Sequence, residues 1–265
     1  MLSLKIAPSF TQMSKIAVII PARWASTRFP GKPLHLLAGK PLVQHVWERA
    51  RLARGIASVI IATDDMRIAE AAFLFGAEVA LTSPRCVSGT DRCAEVARRL
   101  TKDGITHLVN VQGDEPLISP LLITQLARAL AKDPTLQMVT AATPFLPDEN
   151  PANPNAVKVV LSRASNALYF SRSLIPFPRD GGAFPYLRHL GIYGYSVPFL
   201  GKFVRWKTGV LEAAESLEQL RALEHGVTIK VLHTEHTSIG VDTPEDALAA
   251  ETLIVGASRL QSPPK

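Results

Sequence analysis

Apolar and polar positions alternate along the chain in blocks, and the period changes from block to block. Residues 15–22 (KIAVIIPA) read as a buried strand, and 41–53 (PLVQHVWERARLA) repeat at helical spacing through Leu42, Val46, Arg49 and Ala53. The alternation continues with a strand at 58–65, a helix at 66–76 stopped by Gly76, and a short strand at 77–83. A helix at 91–104, a strand at 107–112, a helix at 119–133 and a strand at 138–144 follow. Ser119 caps the last of these helices and Pro120 takes its first position, where a missing N–H costs nothing. Strands that are apolar on both faces and alternate with helices predict an α/β fold: a mostly parallel, doubly wound sheet with helices on both faces.

Past residue 144 the pattern loosens. Pro144, Pro147, Pro151 and Pro154 break the chain. A strand at 156–161, a loop at 174–186, an alternating strand at 189–197, a helix at 212–226 ended by Gly226 and a strand at 227–233 are expected. The last helix spans 242–256, with Thr243 as cap, Pro244 next and acidic residues in its first turn. The expected organisation is one domain over 15–256, in which 145–256 adds a smaller lobe to the sheet of 15–144. Residues 1–14 and 257–265 are expected to be flexible termini.

Composition narrows the class. At 47% hydrophobic and 20% charged residues, the 265-residue chain matches an ordinary soluble globular protein. No run approaches the roughly 18 apolar residues of a membrane span, and the first residues lack the apolar centre of a secretory signal. Cys86 and Cys93 fit no zinc spacing and suit a reducing compartment, so the expected location is cytoplasmic, away from membranes. The net charge of +6 calls for an anionic partner or for nothing at all, the cations being solvated surface. With 6% aromatics, scattered cations and no base-reading motif, a phosphate-rich small substrate fits better than nucleic acid.

Four stretches carry candidate chemistry. The loop 21–34 (PARWASTRFPGKPL) gathers Arg23, Arg28 and Lys32 with Gly31 at a strand end, which suits a polyphosphate. It is neither a Walker A loop, because Ser26 and Pro33 occupy key places, nor a dinucleotide fingerprint. In SGTDR (88–92), Ser88 and Thr90 could hold a ribose or base and Arg92 a phosphate, while Thr90 or Asp91 could equally cap a helix. In QGDEP (112–116) two hard carboxylates end a strand opposite a cationic loop, as a Mg²⁺ site would. Adjacent residues on an extended chain point to opposite sides, so one of Asp114 and Glu115 reaches the metal, and Asp114 is the expected one. GVDTPED (240–246) repeats the arrangement with Asp242, although the same residues make a good helix start. The seven histidines form no ligand set, and no nucleophile elbow is present.

The stretches IIPARWASTRFPGKPL, SGTDR, VNVQGDEP, NPNAVKVV, ALYFSR, RHLGIYGY, LEQLRALEHG and GVDTPED occur in the order seen in the 3-deoxy-manno-octulosonate cytidylyltransferases, a branch of the nucleotide-diphosphosugar transferases. The resemblance spans about residues 15–250. It implies a GT-A-like fold, a homodimer, and transfer of CMP from CTP to 3-deoxy-D-manno-octulosonate (Kdo) with release of pyrophosphate, activating Kdo for lipopolysaccharide synthesis. Residues 15–144 then form the nucleotide-binding part and 145–256 the sugar-binding and dimerisation part. Arg23 and Lys32 match triphosphate-binding positions, and Ala22, Ser88 and Gln112 lie around the nucleotide. Asp114 and Asp242 match the Mg²⁺ ligands, and Arg172, His189, Tyr193, Glu218 and Gln219 match the sugar pocket. The chain departs from the pattern at Asp91, where Glu is usual, and at Ser238 and Ile239 before the final Gly-Val-Asp. Rival readings are a cytidylyltransferase for amino-Kdo or sialic acid, a basic nucleic-acid-binding protein, and a CTP-binding regulator without turnover.

Overall fold

Strand β1 (Ile16–Pro21) is buried along its whole length, and its side chains serve two cores. Ile16, Val18 and Ile20 enter one, and Ala17 and Ile19 the other. The computed structural model describes residues 14–25, 29–181, 184–236 and 239–261. After β1 come a two-residue-arm hairpin, β2 (Leu36–Leu37) and β3 (Lys40–Pro41), then α1 (Leu42–Arg51), β4 (Ser58–Thr63), α2 (Met66–Leu74) and β5 (Glu78–Leu81). Next are α3 (Gly89–Leu100), β6 (His107–Asn110), α4 (Pro120–Lys132) and β7 (Met138–Pro144). The remainder holds β8 (Lys158–Leu161), β9 (Ala167–Ser171), β10 (Leu187–Ser196), α5 (Val197–Phe203), α6 (Val210–Glu215), α7 (Gln219–Glu224), β11 (Ile229–His233) and α8 (Pro244–Gln261).

The main sheet runs β11-β7-β10-β6-β1-β4-β5, with β8 and β9 branching from the start of β10. Its β6-β1-β4-β5 half and its β7-β11 pair are parallel. One face carries α1, α4 and α8 over a core of Val18, Leu42, Val109, Leu126 and Ala250. The other carries α3, α5 and α7 over Ile60, Cys93, Phe170, Phe203 and Leu220. The α/β class and the flanking helices agree with the hydrophobic pattern.

The sheet is mostly parallel, as expected, but mixed, because β10 is inserted antiparallel between β6 and β7. The expected helix over 212–226 is two short helices. Ser216 is left-handed at φ 51°, which ends α6, because the Glu215 carboxylate just before it is drawn to Ser171 and Arg172. β9, the β2–β3 hairpin and α5 escaped the periodicity reading; each is too short, or too mixed in pattern, for a repeat to register. α8 continues past Gly256 to Gln261. No described helix is long and apolar enough to cross a membrane.

Candidate active site

The C-terminal ends of the parallel strands β1 and β6 point to one edge of the sheet, and the loops leaving them build the site. Past β1 the chain is pinned by Ala22 N–H donating to Ala62 O at 2.9 Å. Gly31 then turns it with φ 70°, under Trp24, whose ring would lie 3.0 Å from any Cβ placed there. That turn delivers Lys32, whose Nζ donates to Asp114 Oδ2 (2.8 Å), to Val241 O (2.7 Å) and to Asp242 Oδ1 (3.3 Å). Val241 N–H donates to Asp114 O at 2.8 Å, tying together loops more than a hundred positions apart.

Gly113 permits this convergence. A Cβ at position 113 would sit 2.6 Å from the backbone oxygen of Pro21, so any side chain would force the β1 and β6 loops apart. Asp114 turns to Lys32, whereas the Glu115 carboxylate lies toward Gly191 of β10. The two acids therefore diverge as adjacent residues should, and the cap of α4 is Ser119. The start of α8 is closed by Asp246, which accepts from the N–H groups of Asp242 and Thr243, both at 2.9 Å, while Thr243 Oγ1 accepts from Asp246 N–H. Burial pushes the Asp246 carboxyl up, but these hydrogen bonds and nearby Lys32 outweigh it and hold the pKa below the usual value.

Above the carboxylates lies a cleft of about 550 Å³, lined by all seven residues expected around nucleotide and metal: Ala22, Arg23, Lys32, Ser88, Gln112, Asp114 and Asp242. Arg23 is exposed at its wall. Ser88 proves to be the N-cap of α3, in a capping box with Asp91, in place of the expected Thr90 or Asp91. Arg92 is 3% exposed and bound to Thr82 and to Asp64 (3.2 Å), so it is tethered within the wall. Burial and the neighbouring Glu95 push the Cys86 thiol, also on the wall, up to about 11. Ser26 and Arg28 of the loop, and Ser238 near Asp242, lie outside the described residues. Among the described residues no cluster of three or more His, Cys, Asp or Glu side chains could hold a metal ion by itself.

None of the five residues matched to the sugar pocket lines this cleft; His189, Tyr193, Glu218 and Gln219 form a second group, and Arg172 lies on the turn after β9 with partners of its own. Tyr193 on β10 is the register partner of Asn110 on β6, so the two side chains stand side by side. The His189 ring lies 5.5 Å from that of Tyr193. Its Nε2 meets Thr140 Oγ1 at 2.9 Å, and the same hydroxyl reaches the backbone oxygens of Ile192 (2.7 Å) and Leu190 (3.2 Å). Burial lowers the His189 pKa to about 3. Burial, and then the charge of Glu218, raises that of the Tyr193 phenol. Glu218 accepts from Thr90 Oγ1 at 2.6 Å, joining the second group to α3 and the first. Gln219 is buried with its Nε2 unpartnered among the described residues. Arg172 is tied to the main chain at Glu215 and Pro154.

Sequence reading missed Asn110. Its amide is fully buried, and neither its oxygen nor its nitrogen has a hydrogen-bond partner among the described residues. A polar residue inside the apolar run HLVNV was the available signal. Asp64, at the end of β4, was missed for the opposite reason: only its buried partner Arg92 distinguishes it from a loop acid.

The cytidylyltransferase family profile matches residues 17–229. A 3-deoxy-manno-octulosonate cytidylyltransferase of Syntrophobacter fumaroxidans is 52% identical over 88% of this chain and 94% of its own. An 8-amino-3,8-dideoxy-manno-octulosonate cytidylyltransferase of Shewanella woodyi is 45% identical over 89% and 97%. Among solved structures, a CMP:2-keto-3-deoxy-manno-octonic acid synthetase complexed with CTP superposes with a TM-score of 0.86 at 40% identity, covering 92% of this chain and 100% of its own.

Proposed function

Because the chain belongs to the 3-deoxy-manno-octulosonate cytidylyltransferase family, we propose that the cleft around Lys32, Asp114 and Asp242 is where CTP reacts with Kdo. The enzyme transfers CMP from CTP to Kdo. The anomeric hydroxyl oxygen bonds to the α-phosphorus and loses its proton, the bond to the bridging oxygen breaks, and pyrophosphate leaves. Both substrates are anions, so repulsion is the first obstacle. Unit charges 4 Å apart interact by about 4 kcal/mol at an effective dielectric of 20. Lys32 and Arg23 offset it on the triphosphate. Ala22, Ser88 and Gln112 leave room for a pyrimidine and exclude a purine by size.

One observation carries this reading: a single Lys32 nitrogen reaches both Asp114 and Asp242. The two carboxylates therefore stand at most about 6 Å apart at the cleft wall. Two hard carboxylate donors that already share one cation suit Mg²⁺, which takes one or two carboxylates together with substrate phosphate oxygens. Asp114 and Asp242 are the residues that would hold it, and its chemistry would be to neutralise charge on the phosphates. On the sugar side Arg172, His189, Tyr193, Glu218 and Gln219 bind Kdo. The uncharged His189 and Tyr193 hydrogen-bond to sugar hydroxyls, and Arg172 takes the carboxylate.

Residues 15–144 serve the nucleotide, and 145–256 serve the sugar and a homodimer. Sedimentation at micromolar concentration tests the homodimer, and a monomer there refutes it. The activity is tested by pyrophosphate release from CTP and Mg²⁺ with Kdo, amino-Kdo and sialic acid in parallel. Turnover should be fastest with Kdo and absent with ATP or GTP. Preference for amino-Kdo would reassign the sugar, and equal use of purine nucleotides would refute the pocket.

A further inference from the structure

Lys158, on β8, is given no task by the reading above. It pairs in register with Ser171 of β9 and Arg188 of β10, and none of it reaches solvent. An ammonium in that position is costly unless hydrogen bonds and charge compensate it. Its Nζ donates to the backbone oxygens of Arg172 (2.5 Å) and Asn153 (3.1 Å). Glu215 closes on the same turn from the other side. Its carboxylate accepts from Ser171 Oγ (2.6 Å) and Arg172 N–H (2.8 Å), and its carbonyl accepts from Arg172 Nε (2.7 Å). Arg172 Nη1 donates to Pro154 O at 3.0 Å. Arg172 is thus held through its own N–H, its own carbonyl, Nε and Nη1, which fixes the direction of the guanidinium.

The charges here do not cancel. Arg188 is paired with Glu149, leaving Lys158 and Arg172 against Glu215. Among the described residues one positive charge is in surplus, and Lys158 itself is out of reach of water. A purely structural tie between two carbonyls needs only a neutral donor, and a buried ion is a poor source of stability. A surplus cation beside an oriented guanidinium suits a carboxylate ligand.

We propose that Lys158 is a positioning residue for the sugar acid: it fixes the Arg172 main chain and supplies the surplus positive charge that the substrate carboxylate neutralises. This rests on the reading of Arg172 as the carboxylate ligand. The test uses full-length Lys158→Met and Lys158→Gln beside Arg172→Ala. It measures KM for Kdo and for CTP, the inhibition constant of the neutral Kdo carboxamide, and the melting temperature. In Lys158→Met, KM for Kdo should rise about 10- to 100-fold, the range of one charge-assisted contact, while KM for CTP stays within about twofold. Preference for Kdo over its carboxamide should fall by a similar factor, which a loosened fold would not cause. Should Lys158→Met not fold, Lys158→Gln keeps a donor while removing the charge and is held to the same expectation. Unchanged KM for Kdo, or equal losses for acid and carboxamide in a folded variant, overturns the proposal. If Arg172→Ala also leaves the acid preference intact, the reading of Arg172 falls and the proposal with it. If Arg172→Ala loses that preference while the Lys158 variants keep it, the lysine proposal alone fails.

Discussion

Replacing Lys32 with Met removes the one nitrogen that touches Asp114, Asp242 and the Val241 carbonyl together. The variant leaves two carboxylates at most about 6 Å apart without the cation they share. At that distance like charges repel by about 3 kcal/mol at an effective dielectric of 20, and by under about 1 kcal/mol in bulk water. The Asp114 and Asp242 side chains are 33% and 50% exposed, so screening pulls the value toward the lower figure. A loss of about 1–2 kcal/mol is expected, which for a domain of this size lowers the melting temperature by several degrees. Adding Mg²⁺ should restore more of that loss in Lys32→Met than it adds to the wild type, because a cation between the carboxylates relieves repulsion that Lys32 otherwise relieves. Differential scanning fluorimetry against Mg²⁺ concentration, without nucleotide, measures this apart from catalysis. Turnover should fall at least about a hundredfold, as when one preorganised contact to developing charge is lost. If the variant melts like the wild type and its Mg²⁺ response is no larger, the two aspartates do not share a cation site and the reasoning is wrong.

Asp114→Asn and Asp242→Asn should each cut turnover at least about a hundredfold, and the double variant should be little worse than either, since both act on one cation; losses that multiply would separate their roles. Gly113→Ala should lower both stability and turnover, because its methyl would meet the Pro21 oxygen at 2.6 Å, and a normal melting curve with full activity would contradict the close approach. Burial holds the His189 pKa near 3 in the folded state, below its unfolded value of about 6.5, so its contribution to stability is complete above pH 6.5 and is lost as pH falls toward 3. Melting temperatures between pH 7 and pH 4 should accordingly fall less steeply in His189→Asn than in the wild type, and parallel curves would count against a buried neutral imidazole.

The parallel half of the sheet was legible because its strands are apolar on both faces and its helices repeat at 3.6 residues, signals that need no distant partner. The loops that end β1 and β6 announced themselves as polar residues at strand ends, and alternation indicated that Asp114 and Glu115 point to different sides without saying which faces the cleft. What lay beyond local pattern was the company each residue keeps. Ser88 caps α3 and Arg92 is sealed against Asp64, facts set by side-chain partners that spacing does not specify. Ser216 breaks a run of good helix formers because Glu215 is drawn to Ser171 and Arg172, some 44 positions away, a tertiary override of local propensity. The antiparallel insertion of β10 was hidden for the same reason: an alternating strand does not declare its direction or its neighbours.

That insertion explains how one sheet can hold the two proposed sites at a constant separation. β6 runs out toward the cleft proposed for the nucleotide and ends at Asn110, two positions before Gln112. β10 returns beside it in the opposite sense, so that Tyr193 is opposite Asn110, and His189 lies one strand away from Thr140 of β7. Two hydrogen-bonded strands fix this offset to within the ladder's geometry, whereas two loops would leave it to their own flexibility. The Thr90–Glu218 hydrogen bond adds a second tie, between the helix that Ser88 caps and the segment that carries Gln219. A transfer between two anionic substrates needs the attacking oxygen held against the α-phosphorus while charge repels it. A sheet that carries both proposed sites on one frame would meet that need, and the closely packed Gly113 is where the loop after β6 is locked to β1.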